Sequence, residues 1–490
     1  MCIDINLNTT RTQTEQSKTT IMTIEQIYTG CLAQGAYYIH SNGEAAIIDP
    51  LREVSPYLDR AKRDGVKIKY VFETHFHADF VSGHVTLSKE TGAPIIYGPN
   101  ANPTYDAHIA TDGEIFSIGD VKIKVLHTPG HTMESTTYLV IDAEGKEHAI
   151  FTGDTLFLGD VGRPDLAQKG ADLTIEDLAG YAFDSLRNKI MPLPDSVIVY
   201  PAHGAGSACG KNMMKETVDT LGNQKKMNYA LRADMTKAEF IAEVTDGLEA
   251  PPAYFPINVQ LNKEGYDHID QVIERGTKAL TPDELEMTAN ASGALVLDVR
   301  SPNAFAETHI PNSIFIGLDG SFAPWVGDLI VDVKQPIILI APEGREEEAI
   351  TRLSRVGFDQ TIGYLNGGIN AWIAAGKEVD SVNRVAAAKF EDDYATYQSR
   401  IYDVRKPNEY SASHVSDANN VSLSTINDHL SAFPEEEFYL HCAGGYRSMI
   451  AASILKSRGI HDFIEVEGGY KAIKETAIPR TDFVCPSTLK

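Results

Sequence analysis

Apolar residues between position 22 and about position 205 fall in short runs that turn residues separate. Residues 37–40 and 45–48 read as the two strands of a hairpin around Ser41-Asn42-Gly43. Helical spacing is found at residues 55–63 and 82–91. Further strands are predicted at residues 68–73, 94–97, 121–127, 137–141, 149–152 and 197–201. This alternation of strands and helices predicts a layered α/β domain.

The chain repeats itself beyond residue 275. The stretch LVLDVRSPNAFAETHI at residues 295–310 is echoed by RIYDVRKPNEYSASHV at residues 400–415. Asp298 and Arg300 of the first stretch recur as Asp403 and Arg405, 105 residues later (403 − 298 = 105). Such a period is too long for a solenoid repeat, which spans about 20–50 residues. The pattern therefore predicts a duplicated domain, each copy being a small parallel-sheet α/β unit.

The domain boundaries follow from these patterns. At about 100–200 residues per domain, 490 residues correspond to roughly three domains. Residues 1–21 are polar, which predicts a disordered tail and makes Met22 one candidate for the functional start. We predict a first domain at residues 22–250, a proline-containing linker at 251–275, and the two copies at 276–380 and 385–485.

Composition narrows the class of protein. The 43% hydrophobic and 23% charged residues are those of a globular chain, and there is no apolar run of membrane-spanning length. A formal charge of −25 argues against nucleic-acid and anionic-membrane partners. The five cysteines are widely spaced and contain no C-x-x-C motif, so we expect a reduced, cytoplasmic protein.

Six histidine and aspartate residues follow the ends of predicted strands in the first domain. They lie in the segments THFHADF, HTPGH, TGD and AHG, and are His75, His77, Asp79, His131, Asp154 and His203. One such residue would be an ordinary polar loop residue. Because four segments share the same context, the sequence predicts a metal site built from nitrogen and oxygen ligands, which suit zinc, manganese or iron.

These segments resemble the metallo-β-lactamase superfamily, with its His-x-His-x-Asp-His motif followed by a histidine, a bridging aspartate and a last histidine. The resemblance implies an αββα sandwich that carries the metal at one edge of its sheets. The sequence departs from the motif at Phe80, where the family has a histidine that helps to hold a second metal. A phenyl ring cannot ligate a metal, so we expect the second metal site to be impaired.

A branch of this superfamily, the persulfide dioxygenases, holds a single iron. The resemblance implies one Fe(II) per chain, with zinc as the alternative, bound by His75, His131 and Asp154. It leaves His77, Asp79 and His203 as surrounding groups or as a vestigial second metal site. The segment LGDVGRPDL also resembles that branch, which makes Arg163 a candidate partner for a substrate carboxylate; a surface salt bridge is the alternative.

The second copy contains the loop Cys442-Ala443-Gly444-Gly445-Tyr446-Arg447-Ser448 between a predicted strand and helix. Loop amides at a helix N-terminus stabilise a thiolate, and Arg447 adds positive charge. The loop resembles the active-site loop of rhodanese sulfurtransferases, which implies that Cys442 carries a persulfide and that Arg447 assists it. In the first copy we align Ile340 with Cys442 and Arg345 with Arg447, and glutamates follow. That copy is expected to be inactive.

The whole order resembles the persulfide dioxygenase–rhodanese fusion proteins of sulfide detoxification. The expected fold class is a multidomain α/β chain with a metallo-β-lactamase sandwich and two parallel-sheet rhodanese domains. The implied reactants are a low-molecular-weight thiol persulfide, O₂, and sulfite or thiosulfate, and we expect a homo-oligomer. Two alternatives stay open, a zinc thioesterase of the glyoxalase II type and a sulfur carrier in which only Cys442 acts.

Overall fold

The computed structural model describes residues 22–166, 173–248 and 250–484, so the tail predicted for residues 1–21 lies outside the described residues. The chain forms two compact units. The first extends to Ile269 and includes Ser354–Gly357, and the second holds Asp270–Leu353 and the residues from Phe358 onward. No helix among the described residues is long and apolar enough to cross a membrane.

The first unit contains two six-stranded sheets. One sheet has its strands in sequence order, namely Thr23–Thr29 (β1), Gln34–Ser41 (β2), Glu44–Ile48 (β3), Lys67–Phe72 (β4), Ile95–Tyr97 (β5) and His108–Ile109 (β6). The other also follows the chain, with Ile115–Ile118 (β7), Val121–His127 (β8), Thr136–Ile141 (β9), Glu147–Gly153 (β10), Ile198–Pro201 (β11) and Asp219–Thr220 (β12). The predicted hairpin is β2–β3, and Asn42 and Gly43 adopt the positive φ angles of 40° and 83° that its tight turn needs.

The two sheets pack face to face. Their shared core includes Tyr37 from β2 and Phe151 from β10, whose ring centroids lie 4.8 Å apart. Helices cover both outer faces, so that the layers are αββα. The helices of this unit are Ser55–Asp64 (α1), His84–Thr91 (α2), Ile175–Ser185 (α3), Leu221–Met227 (α4), Lys237–Thr245 (α5) and Phe255–Glu264 (α6), with a π-helical turn at Leu186–Ile190 and a 3₁₀ turn at Tyr229–Leu231.

The segment 251–275, which we expected to be a linker, contains helix α6 and most of the next helix, Ile269–Gly276 (α7). The prolines suggested a linker, but Pro256 lies in the first turn of α6. A proline there loses no hydrogen bond, because the first helical N–H groups have no partner within the helix. The segment up to Ile269 belongs to the first unit.

The second unit contains two five-stranded sheets in which every pairing is parallel. The first sheet is built from Ala279–Leu280 (β13), Leu295–Asp298 (β14), Ile314–Phe315 (β15), Ile337–Ile340 (β16) and Thr361–Leu365 (β17). The second is built from Arg384–Val385 (β18), Ile401–Asp403 (β19), Asn419–Asn420 (β20), Phe438–His441 (β21) and Phe463–Val466 (β22). Their strand orders, β13-β17-β16-β14-β15 and β18-β22-β21-β19-β20, are the same, as a duplication requires.

The helices of the second unit complete the two copies. They are Pro282–Ser292 (α8), Pro302–Glu307 (α9), Phe322–Leu329 (α10), Glu346–Ser354 (α11), Gly368–Ala374 (α12), Ala387–Tyr397 (α13), Pro407–Ala412 (α14), Tyr446–Ser457 (α15) and Gly469–Ile473 (α16), with 3₁₀ turns at Leu423–Asp428 and Leu430–Ala432. The predicted fold class, a multidomain α/β chain with one layered sandwich and two parallel-sheet domains, is confirmed.

The sheet register corrects the alignment of Ile340 with Cys442. Ile340 pairs with the aspartate that ends β14, and His441 pairs with the aspartate that ends β19. Ile340 is therefore the counterpart of His441, and Ala341 is the counterpart of Cys442. The first copy still has no thiol at this position.

The same shift corrects the alignment of Arg345 with Arg447. Gly344 and Gly445 both have the positive φ of a left-handed residue, at 78° and 98°, and occupy the same place before the helix. Arg345 therefore corresponds to Tyr446, and Arg447 has a glutamate as its counterpart. The alignment was displaced because the second copy has one extra residue farther along, within the helix and the turn that follows it.

Gly83 lies where a side chain has no room. A Cβ atom built on it would stand 2.0 Å from the backbone oxygen of Leu51. Gly83→Ala should lower the free energy of unfolding by about 1–3 kcal/mol, because the backbone must shift to make space. Gly30→Ala is the matched control, since nothing lies within 4 Å of its added Cβ. Urea unfolding followed by circular dichroism measures both, and equal midpoints for the two variants would contradict the expectation.

Candidate metal centre and cysteine loop

The metal-ligand candidates stand on loops that leave the strands of the first unit. His75 and His77 follow β4, His131 follows β8, and His203 follows β11. Asp154 comes directly after Gly153, which ends β10 with a φ of 51°. A Cβ on Gly153 would lie 2.5 Å from Oγ1 of Thr74, so only glycine lets these two loops approach each other.

Three of these side chains form one buried cluster. Ligand atoms of His75, His131 and Asp154 all lie within 4.8 Å of one another. Oδ2 of Asp154 is 3.8 Å from Nε2 of His75 and 3.4 Å from Nε2 of His131. The structure thus brings together the three residues that the sequence proposed as metal ligands.

The hydrogen bond of His131 determines which of its nitrogens carries the proton. Its Nδ1 lies 2.8 Å from the carbonyl oxygen of Arg163. A carbonyl only accepts, so Nδ1 is the protonated nitrogen. In the neutral ring the lone pair of Nε2 then faces Asp154, which is the state that a metal needs.

A hydroxyl does the same for His75. Oγ1 of Thr74 donates its proton to Oδ2 of Asp49 at 2.9 Å, and it lies 3.0 Å from Nδ1 of His75. Because a hydroxyl has one proton, Thr74 accepts from His75 Nδ1–H. Nε2 of His75 therefore also presents its lone pair, and the chain Asp49–Thr74–His75 orients the ring.

Burial sets the charges of this cluster. It lowers the pKa of His75 well below its usual value, lowers that of His131 to about 4, and raises that of Asp154 to about 6. Both imidazoles are therefore neutral. Among the described residues, both carboxylate oxygens of Asp154 are buried without a hydrogen-bond partner. A bound cation would satisfy these atoms, so the residues fit a metal ion.

The second group of candidates is arranged differently. Ligand atoms of His77, Asp79 and His203 also lie within 4.8 Å of one another, and Nε2 of His203 is 3.4 Å from Asp79. Nε2 of His77, however, lies 3.1 Å from Oδ1 of Asp49 and 3.5 Å from Glu73. Burial lowers the pKa of His77, but these carboxylates outweigh burial and raise it to about 9. His77 therefore lies among acidic groups, and among the described residues its two ring nitrogens make no hydrogen bond.

Phe80 occupies the place where the superfamily motif has a histidine. Its ring lies 4.3 Å from that of His77 and 6.5 Å from that of His203, and it is fully buried. An apolar ring thus lies against the second group of candidates. Burial also raises the pKa of Asp79 to about 6, which weakens that carboxylate as a ligand at mildly acidic pH.

Several residues of the centre were not found by sequence reasoning. Cys209 has its sulfur within 4.8 Å of ligand atoms of Asp154 and His203, and burial raises its thiol pKa well above the usual value. Glu73 is the last residue before the histidine loop and accepts a hydrogen bond from Ser82 at 2.6 Å. Cys209 is several residues past a strand end and carries no motif, whereas Glu73 looked like part of a buried strand.

Arg163, which the sequence proposed as a partner for a substrate carboxylate, contacts a carboxylate of the protein itself. Its Nε and Nη2 donate to the two carboxylate oxygens of Asp165 at 2.6 and 2.7 Å, and the residue is 8% exposed. The ion-pair alternative describes its side chain, although the pair is buried rather than on the surface. Its main contribution to the centre is the carbonyl that holds His131.

The cysteine loop of the second unit lies between β21 and α15. Cys442 is 1% exposed, and its Sγ accepts a hydrogen bond from the backbone N–H of Gly445 at 3.1 Å. The helix that begins at Tyr446 follows Gly445 directly, so its N-terminus lies beside the sulfur. Arg447 forms a two-point ion pair with Glu409 at 2.6 and 2.9 Å, so its charge is shared rather than aimed at the loop alone.

The first copy, which belongs to the second unit as well, contacts the residues that follow Cys442. The hydroxyl of Tyr446 donates to the carbonyl of Gly317 at 2.6 Å. A Cβ on Gly320 would lie 2.3 Å from the Tyr446 ring, so the glycine leaves room for it. Oγ of Ser453 on α15 also accepts from the backbone N–H of Phe315. The copy without a thiol therefore packs against the helix that follows Cys442.

Comparison with known proteins agrees with this geometry. Residues 29–203 match the family described as the metallo-beta-lactamase superfamily. A hydroxyacylglutathione hydrolase of Rhizobium etli is 34% identical over 212 residues, covering 42% of this chain and 75% of that protein. The chain belongs to the metallo-beta-lactamase superfamily. Residues 281–375 and 386–476 match rhodanese-like domains, so this member of the superfamily carries two of them after its metal domain.

Two further relatives show how far the similarity extends. A probable hydroxyacylglutathione hydrolase of Schizosaccharomyces pombe is 34% identical over 163 residues, covering 33% of this chain and 59% of that protein. The crystal structure of a metallo-beta-lactamase from Staphylococcus aureus is 32% identical with a TM-score of 0.62. The structural match covers 70% of this chain and 98% of the Staphylococcus aureus protein, so the similarity continues beyond the metal domain.

The place of Phe80 predicts the metal stoichiometry. Phe80→His should raise the bound metal from one to two ions per chain, because it returns a nitrogen ligand beside Asp79 and His203. Phe80→Leu is the control that keeps the position apolar and should leave one ion. Elemental analysis after reconstitution with zinc and gel filtration measures the ratio. Two ions in the unchanged protein would contradict the assignment of a single site.

Proposed function

We propose that this protein is an iron-dependent persulfide dioxygenase joined to a sulfurtransferase. Its metal domain oxidises the sulfane sulfur of a low-molecular-weight thiol persulfide with O₂ and forms sulfite. Its second rhodanese-like domain moves a sulfane sulfur through Cys442, to or from thiosulfate. The coupled reactions would remove reactive sulfide-derived sulfur.

The orientation of His77 is the observation that carries the oxygenase part. Its Nε2 is engaged with Asp49 and Glu73, and Phe80 cannot ligate. His75, His131 and Asp154 then remain as two imidazoles and one carboxylate on a single metal. That donor set, with open positions left over, is typical of non-haem Fe(II) oxygenases.

The protein residues position and shield the reaction. Ferrous iron, when bound, supplies the redox chemistry that lets O₂ react with the persulfide sulfur. The carbonyl of Arg163 and the hydroxyl of Thr74 hold the two imidazoles with Nε2 facing inward. Phe80 and Phe157, both fully buried, keep the surroundings apolar, and Phe157 lies 6.1 Å from the ring of His203. Dry surroundings protect a reactive sulfur species from hydrolysis.

The sulfurtransferase part rests on the Cys442 loop. The thiolate of Cys442 attacks the terminal sulfur of a persulfide, an S–S bond forms, and the carrier thiolate leaves with the bonding electrons. Sulfite then attacks the outer sulfur of the Cys442 persulfide, which releases thiosulfate and returns the thiolate. The N–H of Gly445 and the N-terminus of α15 stabilise the sulfur anion at both stages.

A hydrolase is the second candidate, because relatives with 34% identity are named hydroxyacylglutathione hydrolases. Hydrolysis of a glutathione thioester by a two-zinc centre would need the second metal site, against which Phe80 lies. Anaerobic purification followed by metal analysis separates the candidates. Two zinc ions, thioester hydrolysis and no O₂ uptake with a persulfide would replace the oxygenase proposal.

Removal of the central carboxylate tests the iron site. Asp154→Ala should lower persulfide-dependent O₂ consumption by at least about 100-fold and lower the iron content, because one of three ligands is lost. An oxygen electrode and iron analysis measure the two effects. Asp234→Ala, which changes an exposed carboxylate outside the cluster, should retain its iron. Full O₂ consumption by Asp154→Ala would show that the proposed centre is wrong.

Removal of the thiol tests the coupling of the two domains. Cys442→Ser should leave the initial rate of O₂ consumption within about twofold of the unchanged protein, since Cys442 is not part of the metal centre. The product should shift from thiosulfate to sulfite, because no sulfur is delivered to the sulfite that forms. Derivatisation and chromatography of both anions measure the shift. An unchanged yield of thiosulfate would exclude Cys442 from the reaction.

A further inference from the structure

A buried carboxylate is connected to the thiol of Cys442 through the hydroxyl of Ser448. Glu465, on β22, is fully buried. Its Oε1 accepts a hydrogen bond from Oγ of Ser448 at 2.6 Å, and its Oε2 accepts one from Nε of Arg384 at 2.8 Å. Ser448 also reaches the thiol, because its Oγ lies 3.4 Å from Sγ of Cys442. The three residues Cys442, Ser448 and Glu465 therefore form a continuous chain of polar atoms.

The single proton of the Ser448 hydroxyl gives this chain a direction. The carboxylate at 2.6 Å is a far better acceptor than the sulfur at 3.4 Å, so the hydroxyl donates to Glu465. The lone pairs of the Ser448 oxygen then face Cys442, where they can accept its S–H proton. A proton leaving the thiol thus meets an oxygen whose own proton already points to a carboxylate.

The first copy shows that the fold does not need the hydrogen-bonded series Cys442–Ser448–Glu465. Strand register makes Tyr364 the counterpart of Glu465 and Ala279 the counterpart of Arg384. The loop alignment makes Glu347 the counterpart of Ser448. That copy has no thiol, and it builds the same five-stranded sheet without the ion pair. Because a buried ion pair costs desolvation energy, its presence only beside the thiol indicates a role in the chemistry of the thiol.

The groups around Cys442, Ser448 and Glu465 are compatible with proton transfer between them. Burial raises the pKa of Glu465, which makes it a better proton acceptor than an exposed glutamate. After the transfer the thiolate keeps the N–H of Gly445 and the positive end of α15. The ionisable groups that act on Glu465 are Arg384 and Glu467. Arg447, which is paired with Glu409, acts on Cys442.

We propose that Glu465 is the proton acceptor for Cys442 and that Ser448 relays the proton. The S–H proton moves to Ser448 Oγ while the hydroxyl proton moves to Oε1, which leaves a thiolate and a neutral carboxylic acid. The thiolate then attacks the sulfane sulfur of thiosulfate; the new S–S bond forms as the S–SO₃ bond breaks, and sulfite leaves with the bonding pair. This assignment rests on the sulfurtransferase function proposed above and extends it by two residues.

The rate of sulfite release from thiosulfate tests the assignment in the full-length protein. In a single turnover, each Cys442 that attacks thiosulfate releases one sulfite. Glu465→Gln should slow this release by about 100-fold at pH 6, because an amide cannot accept the thiol proton. Iodoacetamide alkylation, followed by mass spectrometry of the Cys442 peptide, reports separately whether the cysteine still reacts.

The sign of the change separates a proton acceptor from a fixed charge. If Glu465 acted only through its negative charge, its removal would stabilise the thiolate and make sulfite release at pH 6 faster. Glu467→Gln is the matched control, because it removes an exposed charge two residues away and should keep the rate of sulfite release. Ser448→Ala should slow sulfite release in the same direction as Glu465→Gln. The double variant should be no slower than either single variant.

Two results would overturn the assignment, namely an unchanged or a faster release of sulfite in Glu465→Gln. If Glu465→Gln does not fold, as judged by circular dichroism, Ser448→Ala carries the same expectation and the same refutation. Failure of the proposed function gives a different result. Should the unchanged protein release no sulfite from thiosulfate, the sulfurtransferase proposal fails, whereas equal rates in the unchanged protein and in Glu465→Gln overturn only the role of Glu465.

Discussion

The buried carboxylate of Asp154 is the contact on which the metal centre depends. It lies within 3.8 Å of three imidazoles, those of His75, His131 and His203, which arrive on loops from three different strands. A carboxylate without hydrogen-bond partners in an apolar interior costs several kcal/mol unless a cation compensates for it. The sandwich therefore places at one edge a set of buried groups that a bound cation would stabilise.

The surroundings of Asp154 decide what kind of centre this is. The superfamily motif supplies two adjacent groups of ligands, and in this chain the second group contains one substitution. His77 lies close to Asp49 and Glu73, and Phe80 adds an apolar ring next to it. The proposal of an oxygenase rather than a hydrolase rests on this difference between the two groups.

The second unit shows the opposite relation between fold and chemistry. Two copies keep the same strand order and the same Asp–Arg pair at the end of a central strand, with Arg300 and Arg405 each bonded to the aspartate two residues earlier. Only one copy keeps the thiol, the hydroxyl and the buried Arg384–Glu465 pair. The copy without a thiol instead offers the carbonyl of Gly317 and a glycine-lined space to Tyr446. Duplication has thus separated a structural role from a chemical one.

Much of this organisation could be predicted from the sequence, because it depends on local patterns. Alternation, helical spacing and turn residues located the strands and helices. Polar residues after strand ends located His75, His131, Asp154 and Cys442. Matching the second segments of the two copies at an offset of 102 residues (442 − 340 = 102) misplaced Ile340. One extra residue in the helix and the turn that follows it shifts an alignment without leaving any mark on composition. The prolines near residue 251 were read as a linker because proline at the first turn of a helix and proline in a loop look alike in sequence.

The amino-acid sequence by itself thus determined the class of fold, the duplication and the residue types available for chemistry. Only the tertiary structure decided which way each side chain faces. It turned His77 toward Asp49, tied Arg163 to Asp165, and placed Glu465 behind Ser448, although these partners lie from 2 to 28 residues apart in the chain. The reason is that backbone periodicity is a local property, whereas the proton and charge state of a buried group depends on whichever atoms the packed sheets bring within about 4 Å.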